Sequence, residues 1–341
     1  MASMTDSAYA RSGVDTSRAD QAVSALVSVL RSIDPGRESR AVLGSGHYAN
    51  VLRIDERLGI ALSTDGVGSK VIVAEELSRF HTVGIDCIAM NVNDVICVGA
   101  EPIAVLDYIA VEAADPDVLR QIGEGLKAGA EQAGVEIPGG ELAQLPELIR
   151  GHPSPYGFDL VGACFGTVAL DSIVTGARVE PGDAVIGLPS SGVHSNGLTL
   201  ARRTLPDLHE APPELGGRTV GETLLEPTVI YVRAVMDLLR SDVDVRGLAH
   251  ITSGGLGNLL RLEADVGYRV DRPLPTLPIF DLIAERSGAT DAELHDVFNM
   301  GCGFCCVVPA AQADAALALL AEHHPGAAVI GRATTEPGIQ R

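Results

Sequence analysis

The chain has 341 residues, of which 46% are apolar, and a formal net charge of −20 at pH 7. This acidity argues against nucleic acid or an anionic membrane as a partner, because those surfaces select clustered Lys and Arg. No uninterrupted apolar run reaches the roughly eighteen residues of a membrane span, and residues 1–13 lack the basic start and apolar core of a secretory signal. We therefore expect a cytoplasmic protein whose length suits two domains.

In the first half, strands and helices alternate along the chain. The patterns predict a helix over 17–33, a strand over 59–63, a buried helix over 82–98, strands over 103–111 and 160–168, a helix over 117–133 and a strand that leads into Gly139-Gly140-Glu141. A turn-rich stretch over 176–182 follows, so we place a domain boundary near residue 172, giving domains 1–172 and 173–341.

The second half repeats the alternation. It predicts strands over 184–188 and 302–308 and helices over 197–205, 228–240, 256–262 and 310–323. The fold class is therefore α/β or α+β, with two domains of similar size.

Six cysteines lie in apolar runs and not in a loop-rich disulfide framework, which predicts reduced core thiols. Cys302 and Cys305 have zinc-ligand spacing, but no second pair with suitable spacing exists, so small buried residues are the favoured interpretation.

An apolar stretch over 82–100 holds two carboxylates, Asp86 and Asp94, and no Lys or Arg. On a helix the two acids share one face. Burying an ionised carboxylate without a partner is costly, so we expect a bound cation to compensate.

A glycine-rich turn upstream adds a third carboxylate and a lysine, in the order Asp65, Gly66, Gly68, Lys70. The lysine is one of only two in the chain, which suggests an ammonium aimed at a phosphate, although a solvated turn lysine is the alternative. Together with Glu141 after the Gly139-Gly140 pair, Asp65 and Asp94 form a plausible set of hard oxygen ligands for magnesium held with nucleotide phosphates. Each acid alone is more typical of a turn former.

Two predicted strand-to-helix junctions each bring hydroxyl, amide and imidazole side chains together in a short stretch of sequence. The first covers 189–197 and includes His194, and the second covers 250–258 and begins with His250. Helix starts favour anions, whereas ordinary capping would explain one residue at each junction. The two histidines could contact a substrate, act as acid or base, or be structural. Walker A, protein-kinase and G-x-S-x-G patterns are absent, so the phosphate site must be of another kind.

In order and spacing, these motifs resemble those of the phosphoribosylformylglycinamidine cyclo-ligase family over nearly the whole chain. The matching residues are Tyr9, Gly13-Val14-Asp15, Thr64 to Lys70, Gly84-Ile85-Asp86, Val92-Asn93-Asp94, Gly99 to Pro102, Gly139-Gly140-Glu141, Ser190-Ser191-Gly192, His194 to Gly197, Pro227-Thr228, His250 and Phe298-Asn299-x-Gly301-x-Gly303. Four departures, at 43–50, Ser69, Leu142 and Ser253, suggest a divergent subgroup or a relative with a shifted substrate.

The resemblance implies ATP-dependent ring closure of formylglycinamidine ribonucleotide, with phosphorylation of the formyl amide oxygen and attack by the amidine nitrogen. It implies ATP and Mg²⁺ as cofactors, an N-terminal ATP-binding domain whose sheet forms the core of a homodimer, and a C-terminal domain that contributes to the substrate site. Cofactor contacts fall on Asp65, Gly66, Gly68, Lys70, Asn93, Asp94, Gly140 and Glu141, with Asp65, Asp94 and Glu141 as metal ligands. Substrate contacts fall on Ser190, Ser191, His194, Ser195 and Asn196, and catalytic roles on Asp65, Lys70, His194 and His250.

Two related ATP-using enzymes share the acidic N-terminal pattern, namely thiamine-monophosphate kinase and selenophosphate synthetase. The Ser-Ser-Gly-x-His-Ser-Asn-Gly stretch favours the cyclo-ligase, and the absence of a cysteine before Cys87 disfavours selenophosphate synthetase. A non-catalytic nucleotide-binding protein is the alternative from another class, and retention of the acids, Lys70 and both histidines argues against it.

Overall fold

A computed structural model describes residues 16–341. The motif residues Tyr9 and 13–15, and the N-terminal segment weighed above as a signal, lie outside the described residues. Two sheets with helices packed on them confirm the α/β class, one formed by the first half of the chain and one by the second. Within the described part, no helix combines the length and apolarity needed to cross a bilayer.

The first half contains four helices and five strands in the described residues. The helices are α1 (Thr16–Leu30), α2 (Lys70–Leu77), α3 (His81–Ile96) and α4 (Pro116–Ala133). The strands are β1 (Asn50–Arg53), β2 (Leu58–Gly66), β3 (Glu101–Val111), β4 (Gly140–Gln144) and β5 (Phe158–Ala169), in the spatial order β1-β2-β5-β3-β4.

Helix α3 lies on one face of this sheet, and α4 covers α3. The sequence of α4 defines its ends, since Asp115 caps the first turn by accepting from the Asp117 and Val118 amides, and Gly134 ends the helix in the left-handed conformation. Close packing of the two helices depends on Gly84, where an added Cβ would lie 2.3 Å from the Leu126 amide nitrogen. Helix α3 is thus buried on nearly all sides, as its apolar sequence predicts.

The second half contains six strands and six α-helices in the described residues. The strands are β6 (Ala184–Pro189), β7 (Gly247–His250), β8 (Gly267–Arg269), β9 (Cys302–Val308), β10 (Ala328–Thr334) and β11 (Ile339–Gln340), in the order β11-β8-β10-β6-β9-β7. The helices are α5 (Leu198–Thr204), α6 (Val220–Leu224), α7 (Val232–Leu239), α8 (Pro278–Ser287), α9 (Asp291–Val297) and α10 (Ala313–His323).

Several predicted elements differ from the structure. The expected strand before Gly139 is wrong: β4 starts at Gly140, so Glu141 lies at the beginning of a strand and not at its end. Residues Gly255–Arg261 form a 3₁₀-helix where an α-helix was expected, and α7 begins at Val232, four residues after the predicted start. The loop before α7 bonds to the first half, which explains its non-helical path.

All six cysteines are buried free thiols, as predicted. The Cys302 and Cys305 sulfurs are 3.6 Å apart inside the second sheet. Burial raises the pKa of the Cys164 thiol to about 12, and the hydrogen bond with Cys302 together with burial raises the pKa of Cys305, so these groups stay protonated and unreactive at neutral pH.

Helix α3 also contacts α7 and β7 of the second half. It is therefore the element that carries first-half side chains, Asp86, Asn93 and Asp94 among them, into the junction between the two sheets.

Candidate active site

A cavity of about 470 Å³ opens between the halves at the end of β2. Its lining includes segment 44–50, Asp65 from β2, Asp94 from α3, and Thr252 and Arg261 from the second half. A larger cavity of about 680 Å³ lies elsewhere at the junction, around Glu101 and Arg240, and none of the predicted site residues line it.

Asp65 is held at the end of β2 by its backbone. Its amide donates to the Asn91 side-chain oxygen at 3.0 Å, the Asn91 amide donates back to the Asp65 carbonyl at 3.1 Å, and the Gly66 amide donates to the Asp65 carboxylate at 2.7 Å. Burial raises the pKa of the Asp65 carboxyl, and the nearby Asp94 charge raises it further. The charge of Asp94 therefore affects the protonation of Asp65, and both acids line the same cavity.

Asp94 forms a buried contact with the second half. Its Oδ1 lies 2.9 Å from Nδ1 of His250, which is fully buried at the end of β7. Because a carboxylate only accepts, Nδ1 of His250 is the donor. The other ring nitrogen, Nε2, is buried and has no protein partner.

Two facing carboxylates suit a magnesium ion that is shared with nucleotide phosphates, because Mg²⁺ often takes one or two protein carboxylates and completes its shell with phosphate and water. Across residues 16–341, however, no three His, Cys, Asp or Glu side chains converge as a metal site. The residues present therefore fit an ion that Asp65 and Asp94 would hold together with a bound nucleotide.

Glu141 does not join these two acids within one chain. The strand register places Asp65 in a row with Gly162 and Asp107, whereas Glu141 lies in the next row, opposite Tyr108. Because successive residues of a strand point to opposite faces, Asp65 and Glu141 project from opposite faces of the sheet. They are also three strand spacings apart, about 14 Å. The predicted three-acid set is thus not assembled here, and exposed Gly140 beside Glu141 is equally remote.

Lys70 is fully buried and does not line the cavity, contrary to the expected phosphate contact. Its Nζ lies 2.9 Å from each oxygen of Asp86 and 2.6 Å from the Glu226 carbonyl oxygen. The cation that compensates Asp86 is therefore this lysine, not a bound metal. Burial lowers the pKa of Lys70, and the Asp86 charge opposes that shift.

The Asn93 side chain also makes its hydrogen bonds inside the junction. Its Nδ2 donates to the Val229 carbonyl at 2.8 Å, and its Oδ1 accepts from the Tyr231 amide at 3.0 Å.

The predicted cofactor residues Gly66 and Gly68 lie in the turn that follows Asp65. Gly68 takes a left-handed φ of 69° close to the Ser195 carbonyl. The turn thus approaches the second half at the predicted substrate loop.

His194 has a left-handed φ of 61°, an unusual conformation for a non-glycine residue. Its Nε2 accepts two long hydrogen bonds, from the Ser191 amide at 3.3 Å and the Val229 amide at 3.5 Å. Burial lowers the pKa of His194 well below its usual value. The ring is therefore neutral with its proton on Nδ1, and Nδ1 is buried without a partner.

The other predicted substrate residues lie in the same loop as His194. Ser190 donates to the Asn299 side-chain oxygen at 2.8 Å, and Ser191 donates to the Pro227 carbonyl at 2.5 Å. The Ser195 hydroxyl lies 3.3 Å from the Thr228 hydroxyl. Asn196 has a buried Nδ2 with no partner, so it retains a free donor beside His194.

Sequence reasoning missed part of the cavity wall. The Arg261 guanidinium lies 4.2 Å from the Tyr48 ring centroid and donates to the Gly46 carbonyl at 3.1 Å, which ties segment 44–50 to the second half. His47 has a buried, unpartnered Nδ1, and burial lowers its pKa. The departure of segment 44–50 from the family pattern was the available signal for His47 and Tyr48, whereas nothing in the sequence singled out Arg261.

Two family models match the chain. Residues 46–168 match the N-terminal domain, and residues 180–341 the C-terminal domain, of AIR synthase related protein. The fold and cavity thus define a two-domain protein of the AIR synthase related class.

Curated relatives narrow the class. The phosphoribosylformylglycinamidine cyclo-ligase of Methanothermobacter thermautotrophicus is 51% identical over 93% of this chain and 92% of its own length. The enzyme of the same name from Thermococcus gammatolerans is 46% identical over 97% of each chain. The chain belongs to the phosphoribosylformylglycinamidine cyclo-ligase family.

Solved structures share the fold at low identity. Thiamine-monophosphate kinase from Stenotrophomonas maltophilia aligns with a TM-score of 0.62 and 21% identity, covering 88% of this chain and 90% of that one. T. maritima PurL complexed with FGAR aligns with a TM-score of 0.60 and 16% identity, covering 89% of this chain and 47% of that one. These likenesses concern the fold alone.

Proposed function

We propose that the protein catalyses the ATP-dependent cyclisation of formylglycinamidine ribonucleotide to aminoimidazole ribonucleotide. The observation that carries this proposal is the meeting of Asp65 and Asp94 at one cavity between the two halves, with His250 of the second half bonded to Asp94. Relatives that bear the cyclo-ligase name support it along nearly the full chain. A kinase with the same fold is less well supported, because thiamine-monophosphate kinase shares only 21% identity.

In the reaction, the formyl amide oxygen takes the γ-phosphoryl group of ATP and ADP leaves. The amidine nitrogen then forms a bond to the former formyl carbon, and the C–O bond breaks to release phosphate as the ring closes. Positioning and electrostatic stabilisation supply most of the catalysis in such chemistry.

Magnesium, when bound, neutralises phosphate charge. Asp65 and Asp94 would hold it together with the nucleotide, and the Gly66 to Gly68 turn lets the backbone approach the phosphates. Glu141 projects from the other sheet face, so its proposed part in metal binding depends on a second chain.

The two histidines carry complementary buried groups that no protein atom uses. His194 offers an Nδ1–H donor, and His250, fixed through Asp94, offers an Nε2 acceptor. Asn196 adds a buried amide donor. We propose that these groups, with Ser190, Ser191 and Ser195 shaping the loop, bind the substrate and move its proton.

A homodimer is part of the proposal. The face of the first sheet opposite α3 exposes Leu106 and Tyr108 at 39% and 40% of their areas, and Glu141 lies on the same face. Adjoining apolar side chains of this kind mark an interaction surface. We assign residues 1–172 to ATP binding and dimerisation and 173–341 to the substrate, and we place the protein in the cytoplasm.

The test supplies purified protein with formylglycinamidine ribonucleotide, ATP and Mg²⁺. Aminoimidazole ribonucleotide, ADP and phosphate should form in equal amounts. Asp94→Asn should abolish turnover while the circular dichroism spectrum is unchanged. ADP formation with thiamine monophosphate and none with the ribonucleotide would favour the kinase instead.

A further inference from the structure

We infer that Lys70 and Asp86 are positioning residues that fix His194 through the loop 226–231, and that Lys70 makes no contact with the nucleotide. The inference deepens the proposed function and rests on it for the role of His194. It starts from the hydrogen-bonding capacity of a lysine, which has three protons and no acceptor. Nζ donates to Oδ1 of Asp86 and to the Glu226 carbonyl oxygen and lies 2.9 Å from Oδ2 of Asp86, so the fully buried ammonium is held inside the junction.

Asp86 carries the connection onward. Its Oδ1 accepts from the Thr228 amide at 2.7 Å and from the Thr228 hydroxyl at 2.6 Å, in addition to Lys70. Both side chains of the ion pair are completely buried. A buried carboxylate that is paired with a cation and accepts three hydrogen bonds at one oxygen holds its donors in a defined geometry, because any movement would leave a charge unpaired.

The loop 226–231 connects the Lys70–Asp86 pair to His194 by hydrogen bonds. The Val229 amide, one residue after Thr228, donates to Nε2 of His194, and the Pro227 carbonyl accepts from Ser191, whose own amide also donates to Nε2. Asn93 fixes the far side of the loop through the Val229 carbonyl. Two backbone donors at Nε2 force the ring proton onto Nδ1.

The backbone of His194 supports the same conclusion. A non-glycine residue in the left-handed region is strained and persists only where its surroundings hold it. Here the surroundings are the loop 226–231, which the Lys70–Asp86 pair holds through Thr228. Loss of these hydrogen bonds should therefore let the His194 ring rotate or change tautomer without removing any group that binds ATP.

The test uses Thr228→Val, which removes the hydroxyl donor to Asp86 at nearly constant shape, and Thr228→Ser, which keeps it. We expect Thr228→Val to lower kcat about tenfold, with KM for ATP within about twofold, and Thr228→Ser to restore kcat. An unchanged kcat in Thr228→Val, or a loss that Thr228→Ser does not restore, would overturn the inference.

Two readouts are independent of turnover. In the unliganded protein, ¹⁵N spectra of ring-labelled histidine should show His194 as the Nδ1–H tautomer, and Thr228→Val should mix the tautomers; an Nε2–H tautomer in the wild type contradicts the inference even if the proposed reaction fails. The double variant Lys70→Met/Asp86→Asn should bind a non-hydrolysable ATP analogue with unchanged affinity. A loss of tenfold or more would place Lys70 on the nucleotide.

Discussion

Replacing Lys70 by methionine tests the buried ion pair at the junction. In the variant, Asp86 keeps its two hydrogen bonds from Thr228 but loses the lysine that compensates its charge, and the Glu226 carbonyl loses its donor. Both charged side chains are 0% exposed, so solvent cannot replace the lost partner. Breaking a buried pair by removing one partner costs about 3–5 kcal/mol, and we expect a loss of that size in the free energy of unfolding.

The matched control is Arg240→Met, because Arg240 also pairs with an acid of the first half, Glu101 at 2.7 Å. That pair is 57% and 54% exposed, so its loss should cost about 0–1 kcal/mol. Urea titration followed by circular dichroism measures both values. A loss below about 1 kcal/mol for Lys70→Met, equal to the control, would refute the buried pair.

A double variant separates charge from packing. In Lys70→Met/Asp86→Asn, the uncompensated carboxylate is replaced by a neutral amide that still accepts from Thr228. The double variant should therefore be more stable than Lys70→Met alone, which is the coupling that a double-mutant cycle isolates. A double variant that is less stable by the sum of the two single losses would show that the residues do not interact.

Three further predictions concern other parts of the molecule. Gly84→Ala should destabilise by about 1–3 kcal/mol because its Cβ meets the backbone of α4, whereas exposed Gly123→Ala on α4 should stabilise by about 0.5–1 kcal/mol in the same urea titration. Asp94→Asn should lower the raised pKa of Asp65 in carboxyl ¹³C spectra of the metal-free protein, and an unmoved pKa would refute the coupling. Because the folded pKa of Asp65 is raised, its contribution to stability is present at low pH and is lost as pH rises through that folded pKa. Leu106→Arg on the open sheet face should yield monomers in sedimentation, and a retained dimer would refute that interface.

The sequence predicted the buried helix α3 and its two acids, because apolar content and helical spacing are local signals. It could not show which cation meets Asp86, since Lys70 reaches that carboxylate from a separate helix and the Thr228 donors come from the other half. Asp94 and His250, 156 residues apart, were each singled out but not paired.

The position of Glu141 shows why the metal set could not be predicted. The carboxylate chemistry of Glu141 suggested a magnesium ligand. Strand register, however, determines which face of the sheet Glu141 occupies, and a shift of one residue would reverse that face. Register depends on the β3–β4 and β3–β5 pairings, which involve strands far apart in sequence. The cavity wall at Tyr48 and Arg261 was missed for the same reason, because a cation over a ring 213 positions away leaves no local pattern.

The most direct test of the account follows the oxygen atom of the substrate. Formylglycinamidine ribonucleotide labelled with ¹⁸O in the formyl group is converted by the enzyme with unlabelled ATP and Mg²⁺, and the released phosphate is analysed by mass spectrometry. Phosphorylation of the formyl oxygen predicts one ¹⁸O atom in each phosphate released. Unlabelled phosphate, with the isotope recovered in water, would contradict the proposed cyclisation.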